Sequence, residues 1–458
     1  MSSIATGAAG ARTVQVALVV AWLTAALGLG ASAAYGAYVI HPGAVPGALI
    51  LLVAGAVTIV RPLVGLATVF PLLVVGYFGI IPGPPWVLGA AWSALLLGLA
   101  LMRVGGRGEL PRLPTLAGAL ALFAAVSIAS AVAAGGGGEA VPVLRSLLTG
   151  LALFFAVTAF VRRPQDLLWP LAGAAIAASL VALYAAYQWR FGDPRGTGFL
   201  TDTGVLVSRV SAGFGHPNQL GGFLLILVPY VVGAAMLLPR ARPLVVAGLL
   251  LCVFGIYVSF SRGSLLGLAV VPLFFLSKRR VLALAPLLGI LFLAIAPDLL
   301  RERIGTLTER GAELSSRADI WTTAWQIWLA NPLLGVGPGG FPDAYASVPV
   351  AGKQYLPATI FEAPPHAHNV ILQVLAELGL AGILSFAAVF GLALWGARRC
   401  RRSGARELRV VGTATLAALT AFTIHNMFDV TLLETNGIFF WSLLGLVSAA
   451  TTLARPGA

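Results

Sequence analysis

His366 and His368, separated by Ala367 and followed by Asn369, end the longest polar stretch of the chain and stand at the mouth of an apolar run. Two imidazoles at such a boundary suit three roles. One is a general base for an acceptor hydroxyl, a second is a hydrogen bond to a sugar or phosphate oxygen, and the third is a metal ligand. No Asp-x-Asp or His-x-x-x-His pattern accompanies them, so the metal reading lacks further ligands, and no metal is expected. Asn369 reads as the cap of the helix that follows.

Three arginines are the next candidates. Arg209 lies in Ser208-Arg209-Val210-Ser211-Ala212-Gly213-Phe214-Gly215-His216-Pro217-Asn218, just before an apolar run. Arg262 sits in Ser261-Arg262-Gly263, on a tight hairpin between two apolar runs. Such residues either snorkel to lipid phosphate or form an anion site, and the anion site is the sharper reading. Arg317 precedes Trp321, Trp325 and Trp328, whose spacing puts the indoles on one helix face at headgroup depth. Arg317 is expected to project from the start of that helix. Asp319 either offsets the helix dipole there or pairs with an arginine. Asn218, Asn369 and Asp319 are supporting residues in this scheme. The glycines of Asn331-Pro332-Leu333-Leu334-Gly335-Val336-Gly337-Pro338-Gly339-Gly340-Phe341 permit a turn with positive φ. His425, Asn426, Asp429 and Glu434 end another apolar run and read as packing and capping polarity. His216 stays open, and His41 reads as loop.

These groups need a scaffold, and the composition says which. Of 458 residues, 59% are hydrophobic and 10% charged, against roughly 25% charged in soluble domains. Apolar runs of about 20 residues, the length of a membrane-crossing helix, recur from end to end. The runs do not alternate, which sets outer-membrane barrels aside. The fold class is therefore an all-α polytopic membrane protein. Candidate spans fall at 13–35, 44–60, 62–80, 86–104, 114–134, 142–161, 167–189, 219–238, 243–260, 263–277, 281–297, 369–395, 410–429 and 436–453. The run 44–60 is short and 263–277 is broken by Pro272, so the count is about 12–14. Ala31-Ser32-Ala33 resembles a signal-peptide cleavage site, but the first run is long and reads as a retained span. Cys252 and Cys400 support neither a disulfide framework nor a cysteine metal site.

With the N-terminus in the cytoplasm, the basic residues collect in inner loops: Arg61, Arg103 to Arg112, Arg162 and Arg163, Arg240 and Arg242, Lys278 to Arg280, and Arg398 to Arg409. That distribution is the positive-inside bias, so the net charge of +13 reads as topology and not as nucleic-acid binding. The polar segment 298–368 then lies outside. It holds seven of the sixteen acids. The chain divides into N-terminal spans 1–189, central spans 190–297 with the outer-face arginines, the extracytoplasmic loop 298–368 with short helices, and C-terminal spans 369–458.

Read in order, these pieces resemble the O-antigen ligase and O-antigen polymerase superfamily. They are Arg209 with Gly213-Phe214-Gly215-His216-Pro217-Asn218, Ser261-Arg262-Gly263, Arg317 with Trp321, Asn331-Pro332-Leu333-Leu334-Gly335-Val336-Gly337, His366-Ala367-His368-Asn369, and Glu377-Leu378-Gly379-Leu380-Ala381-Gly382. The likeness covers roughly 200–390. The resemblance implies a C-type glycosyltransferase fold in the cytoplasmic (inner) membrane, with an active face that is periplasmic or extracytoplasmic. It implies an undecaprenyl-diphosphate-linked oligosaccharide donor and no metal or other cofactor; direct displacement would invert the anomeric centre. The arginines that grip the diphosphate would be Arg209, Arg262 and Arg317. The catalytic histidine would be His368, with His366 beside it. The ligases usually have twelve spans, fewer than the fourteen runs here. The Arg-x10-Gly pattern described for polymerases is not met from Arg209, where the spacing lands on Leu220.

The chemistry is coherent. Arginines at a low-dielectric interface stabilise charge on a diphosphate leaving group, and a histidine orients or deprotonates the attacking hydroxyl. The leading expectation is a ligase-like transferase. The alternatives are an O-antigen or exopolysaccharide polymerase, a protein O-oligosaccharyltransferase and, in another class, a transporter or flippase. The acceptor is a glycan, lipid A core or a protein. Membrane lipids are partners and nucleic acid is not. A transporter would carry ionisable residues within its spans, and the mid-span regions here are nearly free of them.

Overall fold

Without water to satisfy it, backbone inside a bilayer closes its own hydrogen bonds, and the apolar runs form helices. The computed structural model describes residues 44–78, 86–105, 114–137, 139–192, 198–200, 206–276, 279, 311–348, 366–432 and 434–454. The spans predicted at 13–35 and 281–297 lie outside these residues.

The helices are α1 (Ala44–Val60), α2 (Pro62–Val75), α3 (Val87–Gly105), α4 (Thr115–Ala133), α5 (Ala140–Phe160), α6 (Leu168–Phe191), α7 (Pro217–Leu237), α8 (Arg242–Val258), α9 (Arg262–Val270), α10 (Pro272–Phe275), α11 (Gly311–Ala330), α12 (Phe341–Ser347), α13 (Val370–Arg401), α14 (Arg406–Asn426) and α15 (Glu434–Leu453). Among the described residues, eight helices are long and apolar enough to cross a membrane: α3 to α7 and α13 to α15. The chain is an all-α, multi-pass membrane protein. The two weak runs are short in the structure as well. α1 spans 17 residues, and 263–277 divides into α9 and α10 at Val271, because Pro272 supplies no N–H and its ring obstructs the preceding turn. The loop 190–218 adds one departure from pure helix, an antiparallel ribbon of β1 (Gly198–Leu200) and β2 (Leu206–Ser208).

α15 lies along α5, α2 along α6, and α14 between α7 and α13. Phe223 and Phe70 each meet the ring of Phe439, at 4.8 and 5.3 Å between centroids, which ties α7 and α2 to α15. A smaller apolar cluster holds α11 and α12 to the start of α13 through Ala324, Ile327, Phe341, Tyr345, Ala367 and Ala376.

One irregularity positions the polar end of the bundle. α13 breaks at Gly379, whose φ is +64°. A break inside a membrane strands backbone groups, and here the segment 332–337 pairs with them. Val336 and Gly337 donate N–H to the carbonyls of Ala376 and Glu377 at 3.0 and 2.9 Å. Leu380 and Ala381 donate to Pro332 and Leu333 at 2.8 and 3.1 Å. The approach needs glycine on both sides. A Cβ on Gly335 would lie 2.3 Å from the Glu377 carbonyl carbon, and one on Gly379 would lie 2.4 Å from that of Leu333. Ser130 of α4 donates to the carbonyls of both Leu334 and Glu377. The positive φ expected of these loop glycines is present at Gly335, Gly337 and Gly339.

Candidate functional site

The His366-Ala367-His368-Asn369 turn is fixed from its own helix. Asn369 accepts from the N–H groups of Ile371 and Leu372 at 3.0 and 3.2 Å and caps α13, as the sequence predicts. Its amide donates to the Met427 carbonyl at 3.3 Å. Gln373, one turn into α13, accepts from the Ala367 N–H at 2.6 Å. So held, His368 adopts a φ of +50°. A non-glycine residue there costs on the order of 1–3 kcal/mol and persists only where its surroundings enforce it.

The residue that these histidines face is Asp429. Its Oδ1 lies 3.5 Å from Nε2 of His366 and 3.8 Å from Nδ1 of His368. The two rings stand edge to face, 4.3 Å apart. Asp429 is 2% exposed, follows the end of α14, and accepts the Val430 N–H at 2.7 Å. Its Oδ2 and Nδ1 of His366 are buried without a hydrogen-bond partner among the described residues. From the sequence Asp429 reads as packing and capping polarity; the structure adds that the chain folds back after α14 and brings the carboxylate under both imidazoles. The available signal was an acid just beyond His425-Asn426, at the same end of the bundle as the His-Ala-His turn.

Electrostatics sets the protonation states. Burial lowers the pKa of His366, with Asp429 opposing, and His216 and Arg317 lower it further. His368 is pushed down to about 4, first by burial and then by His366 and Arg317, against the pull of Asp429. Burial alone would raise the Asp429 carboxyl. The facing His366, His425 and His368 and the Val430 N–H outweigh it, so the net shift is downward. At neutral pH the site therefore holds a carboxylate beneath two uncharged imidazoles. His366, His368 and Asp429 also form a group that could hold a metal ion, with ligand atoms within 4.8 Å of one another.

The three arginines reach this end of the bundle in different ways. Arg317 is half-buried on α11 and close enough to both histidines to depress them. It does not start its helix as expected, because α11 begins at Gly311. Asp319 is exposed, with no ion pair to an arginine among the described residues. It lies too far into α11 to offset the dipole of its first turn, and its charge falls on Tyr345. Arg209 donates Nε and Nη2 to the Ser259 carbonyl at 3.0 and 2.9 Å, and Nη2 to Asn218 Oδ1 at 2.8 Å. It clamps the α8–α9 corner to the start of α7, and Asn218 supports it there. Arg262 opens α9, beside the contact in which Ser264 Oγ lies 3.1 Å from Nδ1 of His425. His216 caps α7 by accepting the Asn218 N–H at 3.2 Å. Its pKa is lowered, mainly by burial and then by Arg209 and His368, with Asp429 opposing. The tryptophans do not act alike. Trp325 is exposed and packs on Trp328, which donates to the Pro332 carbonyl at 3.2 Å, while the buried face of α11 is Ala324 and Ile327.

Residues 247–387 match the family model described as O-antigen ligase. The match supports the O-antigen ligase/polymerase superfamily and an enzyme of the glycosyltransferase kind. It includes Arg262, Arg317, His366, His368 and the Gly379 break, and it excludes Arg209, Asn218 and Asp429. No curated protein matches the chain.

Proposed function

From the O-antigen ligase match, we propose that the protein transfers a glycan from a polyprenyl (undecaprenyl) diphosphate donor to an acceptor hydroxyl at the outer face of the cytoplasmic membrane. The observation that carries this reading is the Asp429 carboxylate beneath His366 and His368, with Arg317 in electrostatic reach.

The diphosphate lies against Arg317, Arg262 and the exposed part of Arg209, and its lipid tail stays among the spans. The acceptor oxygen attacks the anomeric carbon from the side opposite the diphosphate. As the new C–O bond forms, the old one breaks, its electron pair leaves on the diphosphate, and the configuration inverts. The hydroxyl proton passes to Nε2 of His368, whose Nδ1 faces Asp429. Asp429 fixes the ring and balances the charge that the imidazole acquires. A pKa of about 4 describes a weak base in the free protein. A bound diphosphate adds negative charge nearby and raises it toward the working range. The leaving group is already stabilised by guanidinium groups, so neither a general acid nor a metal is needed in this scheme.

The chemistry is the same for a growing glycan, lipid A core or a protein hydroxyl as acceptor, which makes polymerase and protein-glycosylating enzymes variants of the same reaction. Purified protein given a polyprenyl-diphosphate-linked oligosaccharide and each acceptor in turn tests the reading. Transfer to one of them, lost in His368→Ala, supports it. Transport of the lipid-linked donor across vesicle membranes without transfer supports the flippase alternative instead.

A further inference from the structure

α13 starts at the histidines and runs 32 residues to Arg401, which at about 1.5 Å per residue carries it to the other face of a bilayer. There a cavity of about 360 Å³ opens between the end of α7, α10, the end of α13 and the start of α14. Its lining includes Arg401, Arg406 and Arg409 together with Met236, Phe274 and Phe275, and no acid among the described residues. Glu407, the acid in the first turn of α14, is not part of the wall.

Positive-inside topology explains basic loops, but it does not require three guanidinium groups to converge on one cavity with an aromatic side. Part of each charge is unspent. Arg406 donates Nη2 to the Met236 carbonyl at 2.7 Å, and Arg409 donates Nη1 to the carbonyls of Ser403 and Gly404. These bonds leave the remaining guanidinium N–H groups of both residues for an anion. The Arg401 side chain makes no hydrogen bond among the described residues. Arg406 and Arg409 also occupy the first turn of α14, where the helix dipole opposes a cation unless an anion is near.

We propose that this cavity binds the headgroup of an anionic phospholipid, with phosphate oxygens among the three arginines and acyl chain against Phe274 and Phe275. A basic pocket between spans at headgroup level selects such lipids. The apolar wall favours a lipid over a free anion, because inorganic phosphate gains nothing from it. The site is separate from the histidine cluster and does not depend on the reaction assigned there.

The test uses the full chain, purified in a neutral detergent and titrated with cardiolipin, phosphatidylcholine or inorganic phosphate, with bound lipid read by native mass spectrometry. Cardiolipin is expected to bind about 100-fold more tightly than phosphatidylcholine, from a factor of about five per arginine. The triple variant Arg401→Gln, Arg406→Gln, Arg409→Gln is expected to lose that preference. Arg401→Gln alone breaks no side-chain hydrogen bond among the described residues and is expected to weaken cardiolipin about fivefold, so it decides the matter should the triple variant misfold. Equal cardiolipin binding by wild type and Arg401→Gln would overturn the proposal. So would phosphatidylcholine binding as tightly as cardiolipin, or displacement of cardiolipin by equimolar inorganic phosphate.

Discussion

Asp429 Oδ1 stands 3.8 Å from Nδ1 of His368, across the gap between the end of α14 and the start of α13. That separation exceeds a hydrogen bond, yet it lets the carboxylate choose which ring nitrogen keeps its proton. Asp429→Asn keeps the shape and removes the charge. It is expected to reduce transfer by about 10²-fold or more while leaving the amount of folded protein in the membrane unchanged. Initial rates with a lipid-linked oligosaccharide in proteoliposomes would measure this. A wild-type rate would remove Asp429 from the chemistry.

The depressed His368 gives a pH profile with a definite sign. In the proposed reaction the neutral ring is the active form, and burial with the nearby His366 and Arg317 pushes its pKa down to about 4 in the free protein. Transfer at low donor concentration should therefore persist as the pH falls through 6.5, the ordinary histidine value, and drop only well below it. Stability follows the same direction. Between about 4 and 6.5 the unfolded chain binds the proton and the folded chain does not, so this group's contribution to stability falls as the pH is lowered through that window. Thermal unfolding in detergent at a series of pH values, compared with His368→Gln, isolates it.

Arg317 lowers both histidines and lies against the diphosphate in the proposed reaction. Arg317→Gln is expected to have two effects: transfer weakened about 10²-fold to 10³-fold, and the acid limb of the pH profile moved upward. Loss of rate with an unmoved limb would separate the arginine from the histidines.

The paired backbone at Gly335 and Gly379 predicts a purely structural effect. Gly379→Ala places a Cβ 2.4 Å from the Leu333 carbonyl carbon at a φ of +64°. The backbone strain alone is about 1–2 kcal/mol, and the contact adds to it. The variant should unfold at a lower temperature in detergent and should lose activity with stability, because α11, which carries Arg317, is docked through this loop. An unchanged unfolding temperature would mean that the loop does not brace the break.

The division between what was legible and what was not follows from range. The apolar runs that fall on described residues, the Asn369 cap, the weakness of 44–60 and the interruption at Pro272 are local properties, and each of these stands in the structure. The glycines of 331–341 were readable as turn formers, but their partner, the broken turn of α13, was not, since nothing in Leu378-Gly379-Leu380 by itself breaks a helix. Arg317 and the tryptophans showed helical spacing, yet the helix began earlier than the motif suggested. Asp429 was missed for the same reason. A lone acid after a span has an innocent local explanation, and only the return of the chain puts it beneath two histidines. The catalytic and diphosphate roles of His366, His368, Arg209, Arg262 and Arg317 rest on the proposed reaction.

The most direct measurement is transfer by the purified protein from a labelled polyprenyl-diphosphate oligosaccharide, in the presence of a chelator, with product linkage determined by NMR. The proposed transfer gives an inverted linkage, release of polyprenyl diphosphate, no dependence on added metal, and at least a hundredfold loss in His368→Ala. A retained configuration, abolition by the chelator, or a His368→Ala rate equal to wild type would contradict it.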